Sequence, residues 1–485
     1  MAARRGLWLG PALAGLVLFV DPVSGEGGSA GTATAAIGVW MAVWWLTEAL
    51  PIYATALLPL ALFPLAGVGS MRESAAPYAH ELIFLFMGGF MLALAMERTG
   101  LHRRFALVTL RLAGDRPANM IAGFMGVSAL LSMWVSNTAT AVMMLPVATS
   151  VLELAEERAP AAWDAAGRRG FGTALLLGIA YGASIGGVAT PVGSPPNLFA
   201  LSFVASELDH TIAFATWMGL GLPAVLLMLP VAWWLLVRRL FPVPRARLEG
   251  GRAVFARELH ALGPLRRDEA IVLGVFSVVC ALWISRPLLA AVEIAGQTPF
   301  AGLADAAIAM LGVVVLFCAP NGRGGRVLDW PTAVRLPWGV LILFGGGLTL
   351  AAAIGRNGVD DWIGAQSAVL AGLPPTLVIA GVVAGMVFLT ELTSNTASTA
   401  ALIPILAALA PGLGVAPLAL VVPAALAASF AFMLPVATPP NAVVFGSGRV
   451  AVRDMIRAGL WLNGVGIVVI VAVTQLVILP LLGLS

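Results

Sequence analysis

Residues 136–139 read Ser-Asn-Thr-Ala, and the same four residues recur at 394–397, an offset of 258 (394 − 136). A second motif, Pro-Val-Gly-Ser-Pro-Pro-Asn at 191–197, is matched by Pro-Val-Ala-Thr-Pro-Pro-Asn at 435–441, an offset of 244 (435 − 191). All four segments interrupt long apolar runs. Paired prolines break a helix, and unwound backbone inside a bilayer is tolerated only within protein or beside a watery cavity. The sequence therefore predicts two matched pairs of helix breaks.

The chain around these motifs is strongly apolar. Of its 485 residues, 60% are hydrophobic and 11% are charged, whereas an ordinary soluble domain is about a quarter charged. With roughly 20 apolar residues needed per crossing, this composition predicts an all-α polytopic membrane protein. The net charge of +3 is too small to indicate a nucleic-acid partner.

Eleven apolar runs are predicted to cross the membrane, at about residues 7–20, 33–49, 51–67, 81–97, 171–203, 213–237, 269–290, 304–319, 338–354, 416–445 and 458–482. Two further stretches, 118–150 and 375–410, are interrupted midway by the Ser-Asn-Thr motifs and are predicted to be re-entrant hairpins. The alternative for the first run is a cleaved signal peptide. A retained helix is favoured because no cleavage site stands out before Asp21.

The basic residues are all arginine, and they predict the orientation. With a cytoplasmic N-terminus, only Arg72, Arg286 and Arg356 fall outside, which is the skew that positive-inside insertion produces. The C-terminus is then periplasmic or extracellular, and the membrane is predicted to be a bacterial inner membrane. Residues 98–112 are predicted to form a basic amphipathic helix on the inner surface, the alternative being a plain basic loop.

The repeated motifs divide the chain into scaffold helices at 1–50, a first inverted repeat at 51–240, a cytoplasmic linker at 241–268 and a second repeat at 269–485. The hairpin at 118–150 opens inward and the one at 375–410 opens outward, so the repeats are inverted. Many secondary transporters share this arrangement, with a binding site at the repeat interface built from broken helices.

The predicted breaks offer groups for ions of both signs. Carbonyls and hydroxyls at a helix C-terminus suit Na⁺, and amides at a helix N-terminus suit an anion. Ser132 precedes Ser136 by four residues, as Thr390 precedes Ser394, and on a helix this spacing puts both oxygens on one face. No arginine lies in a hairpin tip or proline break, so an anion is expected to be held by neutral donors and compensated by co-bound cations.

Alternative interpretations accompany these residues. Ser, Thr and Asn in membrane helices often only join helices, but the duplication of the motifs favours a binding site. Glu391 could be a proton or cation group, although a structural hydrogen bond is favoured. Glu48 and Glu97 are predicted to be interfacial and without function. A channel would need a continuous polar stripe, which the sequence lacks.

Residues 182–186 match the Gly-x-Ser-x-Gly pattern of hydrolases. They lie in a predicted helix with no strand before it, and an intramembrane hydrolase would need membrane histidines that the sequence does not supply. We therefore predict that the chain is not an enzyme, has no organic cofactor, and uses these glycines for helix packing.

These motifs resemble those of the divalent anion/sodium symporter family, most specifically at residues 132–140, 193–197, 391–397 and 437–441, with weaker matches at 48–51 and 55–59. The resemblance covers nearly the whole chain. It implies a homodimer with eleven crossings and two re-entrant hairpins, in which a mobile transport domain slides against a scaffold by an elevator mechanism.

The same resemblance implies a function and its residues. The function is Na⁺-coupled symport of C4-dicarboxylates such as succinate, malate or fumarate, with exchange, or transport of sulfate or citrate, as alternatives. The implied substrate-binding residues are Ser136, Asn137, Thr138, Ser194, Pro195, Ser394, Asn395, Thr396, Thr438 and Pro439. The implied Na⁺ ligands are Ser132, Ser136, Asn137 and Gly193 for one ion and Thr390, Ser394, Asn395 and Ala437 for a second.

Overall fold

The computed structural model describes residues 2–23, 28–160, 162–294, 297–367 and 372–484. Met1 and Ser485, the chain ends whose sidedness the sequence predicts, lie outside the described residues. Within them the fold is α-helical and contains no β-strand, which confirms the predicted fold class.

The helices of the first half and linker are α1 (Ala2–Val20), α2 (Gly28–Thr47), α3 (Ile52–Thr55), α4 (Leu58–Leu65), α5 (Met71–Ala75), α6 (Glu81–Thr99), α7 (Leu101–Ala113), α8 (Pro117–Ser132), α9 (Asn137–Arg158), α10 (Ala165–Gly186), α11 (Pro195–Glu207), α12 (Phe214–Trp234) and α13 (Gly251–Ala261). Those of the second half are α14 (Arg267–Ala290), α15 (Asp305–Cys318), α16 (Trp330–Ala333), α17 (Trp338–Arg356), α18 (Val359–Ser367), α19 (Pro375–Thr390), α20 (Asn395–Leu409), α21 (Leu418–Ala428), α22 (Pro439–Gly446), α23 (Val452–Val473) and α24 (Leu479–Leu481).

In the described part of the chain, eight helical segments are long and apolar enough to span a membrane: Gly28–Thr47, Met71–Thr99, Asn137–Arg158, Ala165–Ala189, Phe214–Leu240, Arg267–Ala290, Trp338–Arg356 and Val452–Leu481. Seven of them coincide with predicted crossings, and Asn137–Arg158 is one arm of the predicted inner hairpin. The total of eleven crossings stays a prediction.

The predicted crossing at 51–67 is not one continuous helix. It consists of the short helices α3 and α4, which are separated by a turn at residues 56–57. Pro59 lies in the first turn of α4, where its missing N–H is harmless. In a continuous helix its ring would clash with the carbonyl of Thr55, four residues earlier.

The four predicted breaks are present. The chain turns at 133–136 between α8 and α9, and at 391–394 between α19 and α20. It also leaves helical geometry at 187–194, apart from two short 3-10 turns, and at 429–438. The paired prolines occupy the first two positions of α11 and α22, where proline is favoured, so each break lies just before its prolines.

The linker is more ordered than the sequence indicates, because it contains helix α13. This helix packs on α7, the predicted amphipathic helix, whose Arg103 pairs with Glu258 at 2.6 Å and whose Arg104 pairs with Glu269 at 3.0 Å. The side of α7 that carries these arginines is therefore bound to protein.

Among the described residues, the ion pairs between distant segments join only segments that the sequence places on the same side of the membrane. They are Arg98–Asp329, Arg103–Glu258, Arg104–Glu269 and Arg449–Glu156 on the predicted inner side, and Arg286–Asp305 and Arg356–Glu73 on the predicted outer side. The pairs agree with the predicted relative sidedness. Which side is cytoplasmic stays a prediction.

The glycines of the Gly-x-Ser-x-Gly match pack α10 against α8. A Cβ atom on Gly182 would lie 2.6 Å from the carbonyl oxygen of Met125, and one on Gly186 would lie 2.2 Å from that of Ala129. Both helices can approach this closely only because these residues lack side chains. The predicted packing role is confirmed, and Ser184 between them is buried within α10.

Candidate functional site

A cavity of about 890 Å³ lies where the four breaks meet α6 and the start of α17. All ten residues that the resemblance implies for substrate binding line it: Ser136, Asn137, Thr138, Ser194, Pro195, Ser394, Asn395, Thr396, Thr438 and Pro439. Of the other residues implied as Na⁺ ligands, Gly193 and Ala437 also line the cavity, whereas Ser132 and Thr390 are fully buried.

Four helices begin at the cavity, and each is preceded by a hydroxyl residue at its N-cap: Ser136 for α9, Ser194 for α11, Ser394 for α20 and Thr438 for α22. The positive end of a helix dipole and its unpaired amides favour an anion. The paired prolines deprive α11 and α22 of their first two amides. The expectation was that every break supplies amides. At the first two positions of these four described helices, only α9 and α20 have backbone N–H groups to offer an anion.

In the first half, oxygen atoms converge around two glycines. A Cβ atom on Gly187 would lie 2.6 Å from Asn137 Oδ1 and 3.1 Å from the carbonyl oxygen of Gly193. One on Gly193 would lie 2.5 Å from the carbonyl oxygen of Gly187 and 2.9 Å from that of Ser132. We call these oxygens the first oxygen cluster. Carbonyl and amide oxygens on unwound backbone are the groups that coordinate Na⁺ in broken transporter helices.

The hydroxyl of Ser132 also belongs to the first half's site, because it donates a hydrogen bond to Asn137 Oδ1. Ser132 is the last residue of α8, however, and Ser136 caps α9 across the turn. The expectation that their spacing stacks both oxygens on one helix face is therefore wrong. The turn, not the helical period, brings the groups together.

The second half has the same arrangement with a different pattern of hydrogen bonds. Thr390 ends α19, and its hydroxyl donates to its own helix, at Met386 O (2.9 Å) and Val387 O (3.1 Å). Asn395 Oδ1 is buried and has no hydrogen-bond partner among the described residues. An unpartnered buried amide oxygen is costly, so this atom is available to a ligand such as a cation.

Two asparagines hold the proline breaks in the same way. Asn197 Nδ2 donates to the carbonyls of Gly187 (2.9 Å) and Thr190 (2.8 Å). Asn441 Nδ2 donates to the carbonyls of Ala431 (3.5 Å) and Leu434 (3.0 Å). These two residues lie 244 positions after Gly187 and Thr190, the offset of the proline motif. Both asparagines belong to the duplicated motifs, but neither is among the residues predicted for the site. Their signal was their place directly after paired prolines, since the break before the prolines leaves carbonyls without helical partners for an amide to bind.

Glu391 connects the second hairpin tip to the second proline break. Its buried carboxylate accepts hydrogen bonds from the backbone N–H groups of Phe432 (2.7 Å), Met433 (2.8 Å) and Leu434 (3.0 Å), and from Asn463 Nδ2 (2.7 Å). These contacts support the favoured structural interpretation of this residue. They also fix the backbone immediately before Ala437 and Thr438.

Three charged residues also line the cavity, a position that the sequence pattern does not reveal. Glu48 and Glu97, predicted to be interfacial and without function, line it together with Arg335. Arg335 interacts electrostatically with Glu97, and Glu48 has the left-handed backbone angle φ 47°, which is uncommon outside glycine. The cavity is therefore also lined by three charged residues from elements other than the four breaks, which we call the charged rim.

Comparisons with known proteins match nearly the whole chain. The family model described as "Sodium:sulfate symporter transmembrane region" matches residues 9–484. The chain is 40% identical over 486 residues to "Sodium-dependent dicarboxylate transporter SdcS" of Staphylococcus saprophyticus, covering 99% of this chain and 92% of that protein. It is 39% identical over 485 residues to the protein of the same name from Staphylococcus aureus, with the same coverage.

A solved structure resembles the fold. The YdaH transporter of Alcanivorax borkumensis matches with a TM-score of 0.56 and 16% sequence identity, covering 86% of this chain and 88% of that one. At this identity the likeness concerns the fold alone.

Proposed function

Because the chain belongs to the sodium:sulfate symporter family, we propose that it is a secondary active transporter that couples Na⁺ to the movement of C4-dicarboxylates such as succinate, malate or fumarate. Family membership makes the chain a multi-pass membrane transporter and not an enzyme. The two staphylococcal relatives, named sodium-dependent dicarboxylate transporters, support the substrate and the coupling ion. The observation that carries the proposal is one cavity lined by hydroxyl-capped helix starts from both halves.

The substrate carboxylates are proposed to meet the starts of α9 and α20. There the amides and side chains of Asn137, Thr138, Asn395 and Thr396 supply uncharged donors, with Ser136 and Ser394 at the caps. Ser194-Pro195 and Thr438-Pro439 line the sides. A four-carbon dianion has two carboxylates, one for each of the two helix starts that line the cavity, whereas a compact anion such as sulfate has a single charged centre.

The coupling ions are proposed to bind at the hairpin tips. In the first half, Ser132, Ser136, Asn137 and Gly193 hold one Na⁺ at the first oxygen cluster. In the second half, Thr390, Ser394, Asn395 and Ala437 hold another, for which the unpartnered Asn395 Oδ1 is the structural support. Each ion then lies beside a helix start that receives the anion, so their charges compensate and binding of the anion depends on Na⁺.

We also propose that the α8–α9 and α19–α20 helix pairs are the re-entrant hairpins that the sequence predicts. Asp115, just before α8, accepts a hydrogen bond at its carbonyl from Leu248 N (2.9 Å), and Trp163, just after α9, donates to Ala246 O (3.2 Å). Both ends of the α8–α9 pair thus contact one linker segment, as expected if the pair enters and leaves on one side.

The proposed transport cycle is an elevator motion in a homodimer. The cavity lies between the broken helices and the elements α6 and α17, so sliding one group past the other would expose the same site on alternate sides. The rim residues Glu97 and Arg335 neighbour Arg98 and the segment holding Asp329, on the predicted cytoplasmic side. We propose that the cavity opens toward the cytoplasm in this conformation.

The test is uptake of radiolabelled succinate into liposomes containing the purified protein. We expect accumulation with an inward Na⁺ gradient and none with an equal K⁺ gradient. A tenfold excess of unlabelled malate should abolish uptake, whereas the same excess of sulfate should leave most of it. Uptake without any gradient that requires internal dicarboxylate would show an exchanger instead, and inhibition by sulfate rather than malate would overturn the proposed substrate.

A further inference from the structure

A second cavity, of about 280 Å³, lies apart from the transport site, where α7 ends and α8 begins beside the linker. We call it the arginine pocket. Its lining residues are Leu112, Ala113, Gly114, Asp115, Arg116, Asn119, Arg247 and Arg252. The three arginines and one aspartate give the lining a net charge of +2 (3 − 1). Its size and charge suit a small anionic group.

The three guanidinium groups of the arginine pocket are not neutralised by protein. In the described part of the chain, none of them takes part in an ion pair. The carboxylate of Asp115 is instead used by the backbone, because its Oδ1 accepts from Arg252 N at 2.7 Å. Arg103 and Arg104, more than two turns earlier on α7, do have carboxylate partners. The pocket differs from this earlier part of α7 in bringing three arginines without a carboxylate partner among the described residues to one cavity.

The backbone at Gly114 shapes this pocket. Its angles of φ 79° and ψ −165° belong to a region that is essentially restricted to glycine. A Cβ atom there would lie 3.2 Å from a terminal nitrogen of Arg252. Glycine thus allows the turn from α7 to α8 and lets the Arg252 guanidinium lie over the chain.

An exposed apolar stripe on α7 leads to the arginine pocket. Phe105, Val108 and Leu112 are 39%, 48% and 81% exposed, and spacings of three and four residues place them on one helix face. Leu112 is both the end of the stripe and part of the pocket lining. The arginines Arg103 and Arg104 bind α13 and the start of α14, whereas the stripe lies on the surface of the protein.

We propose that the arginine pocket binds the headgroup of an anionic phospholipid whose acyl chains lie along the stripe of Phe105, Val108 and Leu112. Arginine forks match phosphate oxygens in geometry and charge, and basic pockets beside membrane helices suit anionic lipid headgroups. A free phosphate would satisfy the arginines but leave the stripe uncovered, so the adjoining apolar face favours a lipid. The bound lipid would join α7, the start of α8 and the linker.

The test measures the thermal unfolding temperature of purified, delipidated protein with added phosphatidylglycerol, phosphatidylcholine or inorganic phosphate. We expect a saturable increase of several degrees with phosphatidylglycerol alone. The variant R116Q/R247Q/R252Q should lose that increase. The control R169Q/R245Q/R257Q, which removes the same charge from residues outside the pocket, should keep it.

An equal shift in the pocket variant and the control would overturn the proposal, as would an equal shift with phosphatidylcholine. An equal shift with inorganic phosphate would show an anion site without lipid selectivity and would also overturn it. If the triple variant does not fold, R247Q alone should need at least threefold more phosphatidylglycerol for half of the shift, and an unchanged requirement would contradict the proposal.

Discussion

The two proline breaks of this protein share one backbone plan but differ in how their exposed N–H groups are paired. At each break an asparagine, Asn197 or Asn441, bridges two carbonyls at equivalent positions. The second break then gives three consecutive N–H groups to the carboxylate of Glu391. The first forms 3-10 turns instead, and Gly193 N donates to the hydroxyl of Thr190 at 3.1 Å.

The repeat position of Glu391 in the first half is Met133 (391 − 258). Its carbonyl oxygen, rather than its side chain, makes the equivalent connection between hairpin tip and break by accepting from the Thr190 hydroxyl. Duplicated halves can therefore keep the position of a break while one half uses neutral groups and the other a buried charge. A carboxylate with four donors is well satisfied, but its removal takes the acceptor from Met433 N, Leu434 N and Asn463 Nδ2, while Phe432 N keeps Asn463 Oδ1 at 3.2 Å.

The largest effect on transport is expected from the asparagines of the two Ser-Asn-Thr motifs, which both halves share. Asn137→Ala and Asn395→Ala should each lower Na⁺-driven uptake about a hundredfold, because two hydrogen bonds to charged ligands contribute about 3 kcal/mol together. Uptake into liposomes is the measurement, and Asn321→Ala in an exposed loop is the control. If either variant transports at the wild-type rate while eluting and unfolding like it, that half does not contribute to the site.

A large effect on stability is expected at the residue that distinguishes the halves. Glu391→Ala should lower the free energy of unfolding by about 3–5 kcal/mol, since it leaves buried N–H groups unpaired. Glu391→Gln retains one carbonyl oxygen and should cost less. Met133→Ala, at the equivalent position, should cost less than Glu391→Ala because no side-chain hydrogen bond is lost. Thermal unfolding measures the stability of all three variants. Equal losses of stability for Glu391→Ala and Met133→Ala would show that the two halves do not differ at this position.

The smallest effect concerns the buried hydroxyls of the proposed Na⁺ sites. Ser132→Ala removes the hydrogen bond that orients Asn137, worth about 1 kcal/mol, and should raise the Na⁺ concentration for half-maximal uptake about fivefold. Thr390→Val leaves Asn395 oriented as before and should raise it less. The Na⁺ dependence of succinate uptake is the measurement. A larger increase for Thr390→Val would show that the second site depends on its hydroxyl more than the first.

The sequence by itself determined the membrane class and the helix breaks, and the ten residues that the family resemblance implied for substrate binding all line the cavity. Groups such as 136–139 and 435–441 could be recognised because polar residues and paired prolines inside an apolar run leave backbone groups unpaired, and an unpaired group in hydrocarbon must adjoin a cavity or protein. This constraint is local, so it is visible without knowing which segments meet. Because each motif occurs once in each half of the chain, the sequence also predicted that the two halves are repeats of each other.

Only the tertiary structure decided which distant groups meet. The backbone partners of Glu391 lie 41 to 43 residues further along the chain and Asn463 lies 72 residues further. The charged rim of Glu48, Glu97 and Arg335 comes from separate elements brought to one cavity. The arginine pocket likewise joins residues more than 130 positions apart, as the bond from Arg252 N to Asp115 shows. Such contacts follow from how helices pack, and many packings satisfy the same local pattern, so the pattern alone could not choose among them.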